Sequence, residues 1–253
     1  MRLTVVGCSG SMPGPRSAAS CYLVEHDGFA LVLDLGSGAL GALQKYIRPQ
    51  DVGAVLLSHL HADHCMDLCG MYVALRYTPA AEPGGRVRAD RLPVHGPPGT
   101  GERIAAAYGV GSADLGGVLA FHDVLPGTFA LGPFEVTAAP ALHPVQCHAL
   151  RLSAGGRSLV YTGDTAPCAP VAALAAGADV LLAEASFTVA AHNPPDLHLT
   201  ARQAGELAAR AGVGSLVVTH VPPWYEPAAA LVEAATAYHG PAVAAEPGMV
   251  VEV

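Results

Sequence analysis

The run Ser58-His59-Leu60-His61-Ala62-Asp63-His64 gathers four potential metal ligands into six residues. Imidazole and carboxylate groups hold the divalent cations that acidify water and neutralise charge on a reacting oxygen. Ala54-Val55-Leu56-Leu57, just before the run, has the length and composition of a buried strand, so the ligands sit in the loop that leaves a strand end. On extended chain, side chains at i and i+2 point the same way. His59 and His61 can therefore converge on one cation while Asp63 and His64, in the turn beyond, reach a second. Solvation is the usual fate of one loop histidine; it does not account for HxHxDH in this place.

Two cations need further ligands, and other strand ends offer them. His143 follows the strand-like Phe134-Glu135-Val136-Thr137 and a turn bearing Pro140. Asp164 closes Leu159-Val160-Tyr161-Thr162-Gly163, and His220 closes Leu216-Val217-Val218-Thr219. One polar residue at a strand end is commonplace; three more in this pattern point to a shared site.

The order HLHADH, His143, Thr162-Gly163-Asp164-Thr165, His220 resembles the metallo-β-lactamase superfamily. Gly7-Cys8-Ser9-Gly10-Ser11, Leu33-Asp34-Leu35-Gly36-Ser37-Gly38, Glu184-Ala185-Ser186-Phe187, His198-Leu199-Thr200-Ala201 and the THVPPW run from Thr219 resemble its ribonuclease Z-like branch, over nearly the whole chain. The resemblance implies an α/β fold, a four-layer αββα sandwich with metals at one edge. It also implies two divalent metal ions, Zn²⁺ first and Mn²⁺ as the alternative. One would be held by His59, His61 and His143, the other by Asp63, His64 and His220, with Asp164 bridging. True β-lactamases commonly carry Cys at the place of Asp164, so the implied site is of the phosphoesterase type.

Such a pair of cations supplies a nucleophile at neutral pH and clamps phosphoryl oxygens during in-line displacement. The alkoxide of a phosphodiester leaves poorly without a proton or a nearby positive charge. In the resembled pattern His198 is the acid and Glu184 orients it, while Asp63 helps orient the attacking water besides being a ligand. Leu199 stands where the branch usually has a small hydroxyl residue, which leaves Thr200 for any hydroxyl contact.

Other features read as structural. Gly96-Pro97-Pro98-Gly99-Thr100-Gly101 looks like the start of a phosphate-binding loop, but Glu102 and Arg103 stand where Lys and Ser/Thr should follow, and a carboxylate there repels phosphate. A turn leading into a helix over 102–108 is the better reading. Asp34 either fixes a ligand imidazole or caps the next helix. The Gly7 to Gly14 turn could offer backbone N–H groups to an anion or serve chain reversal alone. Cys65 and Cys69 would share the face of a helix after His64, as buried residues rather than thiolate ligands. His26, His95, His122, His148 and His239 have no partner pattern, His192 lies on the loop leading to His198, and Trp224 with Tyr225 could wall a base or sugar.

The elements that must position these groups follow from the apolar runs. Strands are expected at 3–6, 22–24, 30–33 and 55–57, then near 129–137, 149–152, 158–161, 179–183 and 216–219; helices at 38–47, 168–176, 201–211 and 227–238. No repeat of fixed period is evident. Residues 78–85, rich in Pro and Gly, read as a surface loop able to edge the site as a lid.

With 253 residues and 51% apolar content, the chain can bury two sheets as one hydrolase domain spanning 1–253. No basic leader or unbroken apolar span is present, and six cysteines are too sparse for a disulfide scaffold, so a cytoplasmic protein with reduced thiols and no membrane partner is expected. Thirteen basic against 21 acidic residues, a formal charge of −8 and a single lysine argue against structured RNA, whose capture depends on neutralising many phosphates. Members that process tRNA carry a long arm between the segments of His143 and Asp164; here 20 residues separate the two. The resemblance is closest to bacterial phosphodiesterases acting on cyclic nucleotides, which makes a small phosphodiester, a 3',5'-cyclic mononucleotide hydrolysed to the 5'-monophosphate, the expected substrate. The alternative is a ribonuclease Z-like tRNA 3'-processing endonuclease; a metal-binding module without catalysis has no need of His198. Homodimers are common in the resembled branch.

Overall fold

Successive residues of Phe29–Leu33 (β3) face two different apolar layers: Leu31 and Leu33 pack between two sheets, Ala30 and Val32 beneath helices. Burial on both faces is why such strands read as unbroken apolar runs rather than alternating ones. The computed structural model describes residues 1–79 and 90–253, with Ser112 described by its backbone alone.

The first sheet contains, in spatial order, Val250–Glu252 (β14), Arg2–Gly7 (β1), Cys21–His26 (β2), β3, Ala54–Leu56 (β4), Leu92–Gly96 (β5) and Leu119–Asp123 (β6). The second contains Ala242–Ala244 (β13), Ser215–Thr219 (β12), Val180–Glu184 (β11), Arg157–Tyr161 (β10), His148–Ala154 (β9), Phe134–Pro140 (β8) and Gly127–Leu131 (β7). In each sheet the pairings from one edge to β3 or β10 are antiparallel and those beyond are parallel. The two halves thus repeat a topology without repeating a sequence.

Leu3, Val5, Tyr22 and Leu56 from one sheet meet Phe134, Leu152, Tyr161 and Val217 from the other in the inter-sheet core. Ala39–Leu43 (α1), Ala62–Cys65 (α2), Leu68–Tyr77 (α3), Thr100–Tyr108 (α4) and Ser112–Gly116 (α5) lie on the outer face of the first sheet; Ala169–Ala175 (α6), Ala201–Ala211 (α7) and Pro227–Ala235 (α8) lie on that of the second. The result is the expected α/β sandwich of four layers, αββα. Among the described residues, no helix is long and apolar enough to cross a membrane, and all six cysteines are free.

Several local expectations are corrected. The helix expected over 38–47 is only α1, because the chain tightens to i→i+3 bonds (Lys45 N–H to Ala42 O, Tyr46 N–H to Leu43 O) before Pro49. The strand expected near 129–137 is a hairpin, β7 and β8, turning at Gly132 with φ +58°. The helix after His64 breaks at Met66 and Asp67, so Cys65 and Cys69 fall on different helices, the first buried and the second half-buried. The phosphate-loop lookalike is a tight turn: the Thr100 hydroxyl donates to the Pro97 carbonyl at 2.6 Å and Gly99 enters α4 with φ +90°. Of the loop expected to act as a lid over 78–85, all but Thr78 and Pro79 lies outside the described residues.

Candidate metal centre

Parallel strands release their carboxyl ends on one side, and the centre is built there. β4 runs through Leu57 into Ser58 and His59; His61 is the N-cap of α2 in extended conformation, and α2 carries Asp63 and His64. Two backbone bonds tie this turn to the end of β3: Leu35 N–H to His64 O at 2.7 Å and Asp67 N–H to Leu35 O at 3.0 Å. Gly36 explains part of the LDLGSG motif, since a Cβ there would lie 1.9 Å from the Asp63 carbonyl oxygen. Gly10 serves His220 likewise, its would-be Cβ lying 2.2 Å from the His220 carbonyl oxygen. The glycines of these two turns let backbone press against backbone. Gly36→Ala is therefore expected to displace the ligand turn, lowering stability by about 1–3 kcal/mol. Thermal unfolding alongside elemental analysis checks this, and a variant unchanged in both would remove the role assigned to Gly36.

His143 leaves β8 on a loop closed by Ala141 N–H to Cys147 O. Asp164 follows β10 through Gly163, with φ +56°, and His220 follows β12 with φ +56° of its own. A histidine held in the left-handed region is uncommon and marks a place where the surroundings overrule local preference.

The inward-facing atoms form two overlapping sets. His59 Nε2 and His143 Nε2 each lie 3.1 Å from His61 Nδ1, and Asp164 Oδ2 lies 3.7 Å from His59 Nε2. His64 Nε2 and His220 Nε2 are 3.1 Å apart, with Asp63 Oδ2 3.3 and 3.2 Å from them and Asp164 Oδ1 3.4 Å from both. Cation bonds of about 2.0–2.1 Å in a tetrahedron put neighbouring ligand atoms roughly 3.3 Å apart, close to these separations. Asp164 Oδ1 is also a buried oxygen without a hydrogen-bond partner, in a protein interior where such atoms are few. The donor set and the orphaned oxygen both fit divalent cations, Asp164 offering one oxygen to each set.

The outer nitrogens of His59, His64, His143 and His220 are occupied, which turns their lone pairs inward. His143 Nδ1 donates to the Leu197 carbonyl at 2.9 Å, His220 Nδ1 meets Ser186 Oγ at 2.7 Å, His59 Nδ1 meets Ser58 Oγ at 3.1 Å, and His64 Nδ1 meets Asp34 Oδ2 at 2.7 Å. Ser58 stands beside the HLHADH run and Ser186 inside Glu184-Ala185-Ser186-Phe187, but no local pattern marks either serine as an imidazole partner.

His198 lies beside this cluster, its Nδ1 donating to Glu184 Oε1 at 2.9 Å. Glu184 ends β11 fully buried and also accepts from Thr165 N–H at 2.7 Å and Ser186 N–H at 3.2 Å. Burial pulls the His198 pKa down, but the Glu184 carboxylate, by charge and by hydrogen bond, with help from Asp164, raises it above the ordinary imidazole value. Nδ1 is committed, so Nε2 is the nitrogen left for a substrate.

Other expectations end elsewhere. Thr200 is not a free hydroxyl contact: it caps α7, accepting from Gln203 N–H at 3.1 Å while Gln203 Oε1 accepts from Thr200 N–H. Asp34 caps nothing, the N-cap of α1 being Gly38. His192 and Trp224 are exposed. Tyr225 lines a neighbouring cavity of about 450 Å³ with Cys8, Ser17, Pro222 and Glu246, and none of the seven ligand candidates borders it. Among the described residues, His26, His95, His122, His148 and His239 join no ligand cluster.

Comparison with known proteins agrees with this architecture. The model of the beta-lactamase superfamily domain matches residues 32–221. An uncharacterized protein of Mycobacterium tuberculosis is 43% identical over 249 residues, covering 95% of this chain and 88% of the relative. A probable metallo-hydrolase of Bacillus subtilis, YhfI, is 30% identical over all of both chains, and its crystal structure superimposes with a TM-score of 0.87 over 100% of this chain and 98% of that one. A ribonuclease Z of Haloferax volcanii is 29% identical, over 100% of this chain and 95% of the relative.

Proposed function

The chain belongs to the beta-lactamase superfamily and is a metal-dependent hydrolase, and we propose that it is a dinuclear phosphodiesterase converting 3',5'-cyclic mononucleotides such as cyclic AMP to 5'-monophosphates. The observation that carries this reading is the convergence of His59, His61, His143 and Asp164 with Asp63, His64, Asp164 and His220, beside a third group of Glu184, His198 and His220. When bound, two divalent cations, Zn²⁺ or Mn²⁺, would supply Lewis acidity to the phosphoryl oxygens and lower the pKa of water.

The protein's own groups do the rest. The seven side chains would hold the cations at a fixed, mostly buried place. Asp63 is buried, and although burial works to raise its pKa, the adjoining His220 and His64 hold it far below the usual carboxylate range, so it stays an acceptor able to orient an incoming water. Water, its proton released to solvent, attacks phosphorus as the P–O3' bond breaks, O3' takes its proton from His198 Nε2, and His198 regains a proton from solvent. Glu184 keeps the imidazole turned and favours its protonated form.

Small substrates are favoured by charge and by shape. Between His143 and Asp164 the chain spends its residues on β9 and β10, joined directly by Gly155 and Gly156, with no arm. The net charge of −8 opposes a polyanion laid across the surface. The second reading, tRNA 3'-end processing, draws on the full-length likeness to the ribonuclease Z of Haloferax volcanii.

Turnover on a panel of cyclic mononucleotides, pre-tRNA, a thiolester and a β-lactam separates these readings. Cyclic AMP or a related cyclic mononucleotide should be the best substrate, with a KM that changes little with salt, because one phosphate releases few counterions. Site-specific trimming of pre-tRNA without cyclic-nucleotide turnover would replace the first reading by the second.

A further inference from the structure

The cavity of about 450 Å³ that Tyr225 lines borders none of the seven ligand candidates, and its volume falls in the range of small-molecule sites. The chain at the carboxyl ends of β1, β12 and β13 supplies its floor, where Cys8, Val218 and Ala245 are buried. Its walls are Pro15, Pro222, Pro223, Tyr225, Pro227 and Pro247. Proline has no side-chain freedom to lose, so these walls are already set for a ligand. Proline segments and flat aromatic faces recognise one another in peptide complexes, and here the prolines are on the receiving side, so a flat ring suits them.

Acceptors and donors are unevenly available around this space. Proline offers no N–H. Apart from the Tyr225 hydroxyl, the side-chain donors are committed within the protein. Ser9 Oγ donates to the Met12 carbonyl at 2.7 Å and Ser17 Oγ to the Ala18 carbonyl at 2.8 Å, Thr219 Oγ1 pairs with the Tyr22 hydroxyl at 2.7 Å, and the Cys8 thiol donates to the Ala245 carbonyl at 3.4 Å. Arg16 is spent on Glu226, its guanidinium nitrogens lying 3.2 and 3.3 Å from that carboxylate. Glu246 also lines the cavity, and among the described residues no cation pairs with it. One uncompensated negative charge beside apolar walls favours a cation and turns an anion away.

We propose that this cavity is a second ligand site, separate from the metal centre, for a small aromatic ammonium ion, with the ring against the prolines and Tyr225 and the ammonium group at Glu246. Binding there needs no metal ion and does not depend on the phosphodiesterase reading. Thr219 and Val221, on either side of His220, both line the cavity, so an occupant rests against the chain that carries this histidine.

Phenethylamine, protonated at neutral pH, is the probe, with phenethyl alcohol and phenylpropionate as its neutral and anionic counterparts. Amide chemical-shift titration of the isotope-labelled full chain reads the Kd and the place together. Phenethylamine should bind metal-free and Zn²⁺-loaded protein with the same Kd, about 1 mM or tighter, and shift the amides of Cys8, Val221 and Glu246. Phenylpropionate should bind about 10-fold more weakly, with phenethyl alcohol between them. Tyr225→Ala should weaken phenethylamine by about 10-fold, because a ring wall contributes more than a solvated charge pair. Glu246→Gln should weaken it by about 3- to 5-fold and bring the three probes to similar affinity. Ala228→Phe, at an exposed position on the first turn of α8, should fill the cavity and abolish binding. Phenylpropionate binding as tightly as the amine overturns the proposal, and that comparison needs no variant. So does an affinity that Glu246→Gln or Ala228→Phe leaves in place, a set of shifts centred on the His59 to His64 turn, or no saturation by about 10 mM.

Discussion

Replacing Asp164 with alanine is expected to empty both cation sites together and to lower turnover by about 100- to 1,000-fold or more, the several kcal/mol that bound cations contribute to such reactions. The expectation follows from position. Asp164 is almost fully buried, and its two oxygens approach opposite ligand sets, Oδ2 toward His59 and Oδ1 toward His64 and His220. Histidines alone would leave each set short of a negative charge, and Asp63 serves only one of them. Elemental analysis of protein loaded with Zn²⁺ or Mn²⁺ should give two ions per wild-type chain and a loss from both sites in the variant. One ion in the wild type, still present in Asp164→Ala, would mean that the two sets are not a bridged pair.

Much of this centre was legible in the sequence because ligands at strand ends obey local rules. Leu57 to His64 needs only an apolar strand, a period of two and a turn, and the structure puts His59, His61, Asp63 and His64 where that arithmetic sends them. Asp164 and His220 were readable for the same reason, each closing an apolar run. What stayed hidden depends on long-range contacts. The grip of Tyr161 on Asp34 spans 127 residues of chain, and no local pattern in β10 distinguishes that tyrosine from a core aromatic. Strands β13 and β14 are three residues each and exist because β12 and β1 offer them an edge. The Gly7 to Gly14 turn reads locally as chain reversal or an anion-binding turn, whereas Gly10, and Gly36 in the LDLGSG motif, answer to backbone that arrives from elsewhere in the fold. Thr200 shows the opposite error: a family motif drew it toward the substrate, while Gln203 three residues on, with the apolar periodicity of α7, already spelled a capping box.

His198→Ala is expected to lower turnover on a cyclic mononucleotide by about 100-fold or more while the ion content stays at the wild-type value. His198 lies outside the two sets that share Asp164, its Nδ1 being 3.8 Å from Asp164 Oδ2 and bonded instead to Glu184, so its loss removes a proton donor and not a ligand. The size of the loss should depend on the leaving group. An alkoxide such as O3' needs the proton as the P–O bond breaks, and a nitrophenolate hardly does, so an activated nitrophenyl diester should lose far less than the cyclic nucleotide. Glu184→Gln tests the same geometry from behind. It keeps an acceptor for His198 Nδ1 but removes the charge that holds the imidazole protonated against burial, and it should reproduce the leaving-group dependence in weaker form. Equal losses on both substrates would assign His198 to phosphate binding or to the shape of the site, and with it the chemistry of protonation would have to come from another group.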